Sequence, residues 1–389
     1  MVGNKLKIFY VFKGSIYDNS APVNRIIGIS KELYKLNIDI SIHNVLPVLK
    51  NKITKNSNIV PIINYSYSTN SFVLNKIMII YNLIKIAYYI IKQKPTHIIQ
   101  YGDNLLLTFF LHLLKINKSF THILEQNEYP YKVLKESVVY KLIGQKYLKL
   151  NYYWFDRIFV ISQVLKEYFG KYTSSNCIIT VIPMTVDIER FTNIETIQMP
   201  FKKNIVYCGS LSQKKDGIES LIHAMKKLEE LYIDTGLVII GGGNTKEENN
   251  LKKLIRRLYL EKKVKLIGKI DRDEVPNYLS SSTVLVLPRP SSLQAEGGFP
   301  TKLGEYLLSG KPVICTSVGE IPKFLINNKD AYIIEPDSID EITNTVIKVL
   351  NNYQEAINIG LQGKKTGKKM FNAQTQAKII KSTVLKDVF

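Results

Sequence analysis

EGGFPTKLGEYLLSGKPVICTSVGE, residues 296–320, reads as a glycine-containing loop, a helix and a buried strand. Pro300 is favoured at a helix start, so the helix opens near Thr301 and runs to about residue 309. First-turn amides lack intrahelical partners, and the helix dipole makes that end a ready anion site. The N–H groups of Thr301, Lys302 and Leu303 are expected to serve in this way, with Gly297 and Gly298 letting backbone approach a ligand closely. Glu305 falls one turn further on the same side as Thr301 and Lys302. Its carboxylate would accept hydrogen bonds from two adjacent hydroxyls, as on a ribose. A surface glutamate paired with a lysine is the plainer reading, and the motif alone leaves both open.

Outward from this stretch, short apolar runs alternate with helical patterns, the signature of parallel sheets covered by helices. Strands are expected at 6–12, 38–45, 97–101, 121–125, 158–161 and 179–183, with helices over 22–36 and from Gln163. A second series begins at NIVYCGS (204–210) and continues with strands at 237–243, 264–268, 283–288 and 312–317. Helices between them are expected at 217–231, 246–260, 273–280 and 301–309, with a long terminal helix from about 338. The fold class is therefore α/β, two Rossmann-like domains facing a cleft. The expected division is residues 1–190, a linker over 191–203 marked by Pro200 and weak periodicity, and residues 204–365. Residues 366–389 read as a C-terminal helix packing back on the N-terminal domain.

YCGSLSQKKDGIESLIHA, residues 207–224, places a glycine turn and a lysine pair between strand and helix, where ligands of such sheets bind. Gly209 permits a tight exit from the strand, and Lys215 is positioned to meet a diphosphate. Taken singly, a lysine in so basic a chain is ordinarily solvated.

The 389 residues exceed one ordinary core, and 45% apolar content suffices for two. Lysines and arginines number 53 against 33 acidic residues, a formal charge of +20. Such a surface attracts polyanions or anionic lipid, although lysine-rich codon usage explains it equally well. Cys177, Cys208 and Cys315 show no metal or disulfide spacing, which fits a reducing, cytoplasmic compartment. Residues 71–92 are apolar but interrupted by Lys76, Asn82 and Lys85, and LLLTFFLHLL (105–114) is half a membrane span. Both read as buried or interfacial helices. Asp271-Arg272-Asp273 has the form of a metal signature, but its place before a short helix suits an N-cap, and no metal site is expected. GGGN at 241–244 lacks the lysine and hydroxyl of a Walker loop and reads as a strand-end turn.

Together with FDRIFVISQVLKEYFGKY and ITVIPMTVDIERF, these stretches resemble, in order and spacing, glycosyltransferase family 4 of the bacterial surface-polysaccharide type. That family is retaining and has the GT-B fold. The likeness runs from about residue 6 to 335 and is densest over 204–325. It implies that Lys215 meets the donor diphosphate, with Gly209, Ser210 and Lys214 beside it, and that Glu305 holds the ribose. The loop Gly297, Gly298, Phe299, Pro300, Thr301, Lys302 and Leu303 would cradle phosphate and sugar, and Lys269 and Ile270 would lie beside the base. Glu296 would partner a sugar hydroxyl, although it stands one residue off the family's spacing. The family often carries Arg where Ser210 stands, and a histidine where this chain has Gln126, Asn127 and Glu128. His122 falls too early for that role and reads as structural. On the acceptor side the resemblance points to Gly14, Asn24, Arg25 and Asn127, with Glu128 as candidate base.

The expected activity is metal-independent, retaining hexosyl transfer from a UDP- or GDP-type sugar to a glycan or lipid-linked acceptor, with no cofactor. The expected setting is the cytoplasm, peripheral on the inner face of the plasma membrane, with an anionic membrane surface as partner and no nucleic acid. A sugar-nucleotide epimerase of similar fold and a non-catalytic polyanion-binding protein are the rival readings.

Overall fold

The structure, a computed structural model, describes residues 6–14, 16–17, 20–49, 59–117, 119–130 and 138–385, apart from the side chains of 138–143 and of Lys214. It divides into two units: Met1–Thr185 with Ala373–Phe389, and Val186–Asn372.

In unit 1 the elements are β1 (Lys7–Phe12), α1 (Ala21–Lys35), β2 (Asp39–Asn44), β3 (Ile62–Asn64), α2 (Phe72–Gln93) and β4 (His97–Tyr101). They continue with α3 (Leu105–Asn117), β5 (Thr121–Gln126), α4 (Val138–Tyr152), β6 (Arg157–Val160), α5 (Gln163–Gly170) and β7 (Ile178–Val181). The seven strands form a parallel sheet in the order β3-β2-β1-β4-β5-β6-β7. Strand alternation divides β1 between two cores. Ile8, Tyr10 and Phe12 join Val23, Ile26, Ile29 and Leu33 of α1 on one face. Phe9 and Val11 join Leu83, Ile86 and Ile90 of α2 and Leu107 and Leu111 of α3 on the other. Val23, Ile26, Ile29 and Leu33 recur at helical spacing, which is why that run folds as a helix.

Unit 2 begins with a 3₁₀ turn (Glu189–Phe191) and β8 (Asn204–Cys208), α6 (Gln213–Asp216), α7 (Ile218–Glu230), β9 (Gly236–Ile240), α8 (Thr245–Arg257) and β10 (Val264–Gly268). There follow α9 (Val275–Ser280), β11 (Val284–Leu287), α10 (Leu293–Gly297), α11 (Thr301–Ser309), β12 (Val313–Thr316), α12 (Ile321–Phe324), β13 (Tyr332–Ile334), α13 (Ile339–Asn351) and α14 (Tyr353–Met370). Its six parallel strands run β10-β9-β8-β11-β12-β13. The order reverses between β8 and β11, so the carboxyl ends of those two strands flank the crevice that binds ligands in sheets of this kind. The last helix, α15 (Ala373–Leu385), belongs to unit 1, where Ala377, Ile380 and Val384 are fully buried.

Several expectations need correction. Residues 191–203, read as a linker, lie inside unit 2 and are stitched to α9 and the residue after it: Glu195 N–H donates to Asn277 Oδ1 (3.0 Å) and Ile197 N–H to Ser281 Oγ (3.1 Å). The terminal helix is three helices, broken around Asn352 and at Phe371–Asn372. Residues 293–297, read as loop, form α10, started by Ser292 Oγ accepting from Ala295 N–H (3.1 Å). The three-residue strands β3 and β13 were too short to carry a period. Asp273 does not cap α9, whose N-cap is Glu274. Asn244 instead forms a capping box with Glu247 at the start of α8.

Candidate active site

Four elements of unit 2 meet at the switch point. The end of β8 is fixed to α11 by Tyr306, whose hydroxyl accepts from Cys208 N–H (2.7 Å) and donates to Cys208 O (3.0 Å). The chain then turns through Gly209, whose N–H donates to Ile240 O (2.8 Å). A Cβ on Gly209 would overlap Lys302 Nζ, so the glycine leaves room for the lysine. Beside it, Gly241 adopts φ +128° and a Cβ there would overlap Gly209 O. The GGGN turn thus closes against the β8 exit, and the Lys269 stem crosses Gly242, where a Cβ would come 2.7 Å from its Cε.

Lys302, in the first turn of α11, points its ammonium at this exit. Its Nζ lies 2.8 Å from Asp216 Oδ2 and 3.1 Å from the Tyr207 hydroxyl. Asp216 is 1% exposed. Burial lowers the Lys302 pKa; Asp216 opposes that, and Arg289 and Lys215 add to it through their positive charge. Both cations therefore act electrostatically on Lys302. Arg289 follows β11, is itself buried, and its Nε approaches Lys215 O at 3.4 Å. The structure so brings together Lys215, which the sequence singles out, and Arg289, which it does not. Arg289 sits at the end of an apolar strand, 74 residues from Lys215, and nothing local marks it.

Ser210 itself serves the turn: its carbonyl accepts from the Tyr207 hydroxyl (2.5 Å) and its Oγ from Ser212 N–H (3.2 Å). The Lys214 side chain lies outside the described residues. The start of α11 differs in one respect from expectation, because Leu303 N–H is taken by Pro300 O (3.0 Å) and is not open to a ligand. Leu303 and Phe299 are core residues, the latter against Phe324 and Phe371. Gly297 and Pro300 are buried, Gly298 and Thr301 half-buried, and Glu296 is exposed on α10. Lys269 is exposed and Ile270 half-buried.

Glu305 pairs with Arg190 from the 3₁₀ turn, and the second arm of Arg190 donates to Arg272 O. The carboxylate remains 28% exposed. It is near enough to the switch point to act on Cys208, whose thiol burial pushes up to about 12, with Glu305 adding to the rise. Its partner is thus an arginine in the MTVDIERF motif rather than a surface lysine.

In unit 1 the carboxyl end of β5 carries a second polar group. Arg25 is 3% exposed; it is paired with Glu125 through Nε and donates to Pro183 O (2.5 Å) and Ile182 O (2.9 Å). Asn127 Nδ2 reaches both Glu125 Oε1 and the Tyr101 hydroxyl at 3.2 Å. Burial raises the Glu125 pKa to about 8, against the pull of Asn127. Glu125 Oε2, Gln126 Oε1 and Asn127 Oδ1 are buried acceptors without a hydrogen-bond partner among the described residues. Glu128 is exposed in the bend that follows, its carbonyl accepting from Gln126 Nε2 (2.9 Å). Glu125 had no signal in the sequence, where it sits inside a strand. Asn24 is half-buried in the first turn of α1, and Gly14 lies in the bend after β1, packed against Phe12. His122 is fully buried, as its structural reading requires.

Residues 190–366 match the sequence model of the family described as Glycosyl transferases group 1, a span that nearly fills unit 2. The second unit is thus similar to members of that family, and the two parallel-sheet units have the GT-B fold. Among curated proteins it is similar to the GDP-mannose-dependent alpha-(1-6)-phosphatidylinositol monomannoside mannosyltransferase of Mycobacterium tuberculosis, 24% identical over 223 residues, or 54% of this chain. The match takes in 56% of that relative, so the chain spans about half the length of the curated relative. An uncharacterized glycosyltransferase of Haemophilus influenzae is 26% identical over 63% of this chain and 65% of its own length. Among solved structures, sucrose-phosphate synthase of Thermosynechococcus elongatus superposes with a TM-score of 0.75 at 16% identity, covering 98% of each chain. Anabaena HepE in complex with UDP-glucose gives 0.73 at 14% identity over 98% of this chain and 100% of that one.

Proposed function

We propose that the chain is a retaining glycosyltransferase that moves a hexose from a nucleoside-diphosphate sugar to a hydroxyl of a glycan or lipid-linked acceptor in surface-polysaccharide assembly. The observation that carries this reading is the convergence of Lys215, Arg289 and Lys302 at the β8/β11 switch point, one helical turn from Glu305. Cleaving the anomeric C–O bond leaves negative charge on the departing diphosphate. Fixed cations in a partly desolvated site stabilise that charge more in the transition state than in the ground state. These side chains do so without a metal. Glu305 would exchange Arg190 for the ribose hydroxyls, and Glu296 would meet a hydroxyl of the sugar.

The acceptor is assigned to unit 1. Three unsatisfied acceptor oxygens at the end of β5 suit a ligand that offers hydroxyl donors. Glu128, exposed beside them, is the group that would orient the attacking hydroxyl or take its proton. The names of the relative and of the structural neighbour, GDP-mannose-dependent and UDP-glucose-bound, support a donor of UDP or GDP type. The setting that suits this chemistry is the cytoplasm, at the inner face of the membrane.

The test is a thermal-shift panel of UDP- and GDP-sugars, followed by product analysis with lipid-linked and glycan acceptors. One nucleotide sugar should raise the melting temperature, and its sugar should appear on an acceptor with the donor's anomeric configuration. Inverted product would remove retention. Altered free sugar nucleotide without any acceptor would make the protein an epimerase.

A further inference from the structure

Two helices of unit 1 carry apolar side chains on the side that the unit leaves uncovered. In α2, Val73, Ile77, Ile80, Ile84, Tyr88 and Ile91 follow one another at steps of three and four residues, and all are exposed, Val73 by 64% and Ile84 by 61%. The opposite side of the same helix carries Leu83, Ile86 and Ile90 into the core, and Asn82 Nδ2 is tied to Val45 O (2.8 Å). In α3, Leu106, Phe109, Leu113 and Ile116 form a second exposed stripe, Ile116 by 68%. Both helices pack on one face of the sheet through a single core cluster, so both stripes lie on the outer side of one layer. A helix that is apolar all round is ordinarily covered by protein or by lipid.

The charge along the segment that carries α2 is of one sign. No Asp or Glu occurs between Asp39 and Asp103, a stretch that holds seven lysines. Three of them lie on α2 itself with their ammonium groups over exposed aromatic rings: Lys76 Nζ lies 4.4 Å from the Phe72 ring centre, Lys85 5.3 Å from Tyr81 and Lys92 5.8 Å from Tyr88. Lysines interleaved with apolar and aromatic side chains on one helix are a pattern of interfacial helices. Two copies pairing through this face would bring lysines against lysines with no acidic residue of that stretch to offset them.

Although α2 has the length to cross a bilayer, its two ends join β3 and β4 of one sheet. Spanning would place those strands on opposite sides of the membrane. We infer that the outer faces of α2 and α3 form a docking surface on which unit 1 rests, in the plane of an anionic lipid bilayer. This deepens the membrane setting proposed above by assigning the surface that makes the contact, and its test is separate from that of transfer, since binding is measured without donor or acceptor.

The full chain is sedimented with vesicles of phosphatidylcholine alone and with vesicles rich in phosphatidylglycerol. It should bind the anionic vesicles and release as salt is raised. Ile77→Gln with Ile84→Gln should weaken partitioning by about tenfold or more, from the loss of two buried aliphatic side chains. Lys85→Ala should weaken it by about fivefold, and Phe109→Gln tests the α3 stripe separately. Ile77, Ile84 and Phe109 are exposed and Lys85 is half-buried, so an unchanged melting curve is expected and serves as the folding control. Failure to bind anionic vesicles, or equal binding by wild type and the double variant, overturns the inference. So does a dimer in light scattering that the double variant dissociates, which would assign the face to self-association.

Discussion

Lys302 Nζ lies 2.8 Å from Oδ2 of Asp216, and the aspartate is all but excluded from solvent. The pair links the first turn of α11 to the end of α6 across the crevice edge, over a glycine that has no room for a Cβ. Removing the lysine would strand a buried carboxylate. We expect Lys302→Met to destabilise the protein by about 3–5 kcal/mol, with Asp216→Asn in the same chain restoring part of the loss. Urea unfolding measures both, and a loss below about 1 kcal/mol would mean the pair behaves as a surface bridge.

Arg289 should be as necessary as Lys215. If the two hold the leaving diphosphate, Arg289→Ala and Lys215→Ala should each lower kcat/KM for the donor by about 100-fold, the scale for losing one preorganised charge-stabilising donor. Steady-state kinetics with donor varied decides this, and an unchanged kcat/KM in either variant removes that residue from the site.

Glu305 and Arg190 are expected to separate kinetically. Glu305→Ala should raise the donor KM by about 10- to 150-fold, the value of one hydrogen bond to a charged group. Arg190→Met frees a carboxylate that is already 28% exposed, so it should leave donor binding near wild type. Equal defects in the two variants would make the pair structural and end the ribose assignment.

His122 provides a pH signature of the fold. Its ring packs against Phe155 at 4.6 Å between centroids, and burial pushes its pKa down to about 3 from the ordinary 6.5. Burial lowers His43 to about 3 as well. The unfolded chain takes up protons at both sites as pH falls below 6.5, while the folded chain does not until near 3. Their contribution to stability is therefore whole above that upper value and lost progressively toward the lower one. Each should add about 1.4 kcal/mol per pH unit to the slope within that window. His122→Gln should remove about half of the pair's contribution in urea titrations between about pH 6 and pH 4, and an unchanged slope would count against its burial as a neutral ring.

What could be read in advance follows from how local each signal is. The helix from Gln163 and the helix 301–309 begin where the sequence puts them, because Ser162 and Pro300 mark their starts. Strands β4 and β10 match their apolar runs residue for residue. Glu305 and Lys215 could be picked out as candidates because each sits at a fixed offset from a glycine turn. Arg289, Glu125 and Arg190 were not, because their meaning comes from partners 74, 100 and 115 residues away. Lys302 was picked for its backbone N–H, whereas its ammonium proves to be the group held at the strand exit. The unit boundary was missed for a related reason: residues 191–203 are polar and aperiodic, yet side-chain caps from α9 order them.

The placement of α15 has a consequence for biosynthesis. Because Ala373–Leu385 completes the first unit from the far end of the chain, every residue of the second unit leaves the ribosome before the first has all its parts. The internal unit is then free to close during translation, while the sheet begun at Lys7 waits for the codons of Ala373–Leu385. A nonsense mutation just after Asn372 would spare the second unit entirely. It would instead open the opposite half by removing Ala377, Ile380 and Val384 from its interior, so damage at the carboxyl terminus should surface as a defect of the amino-terminal body.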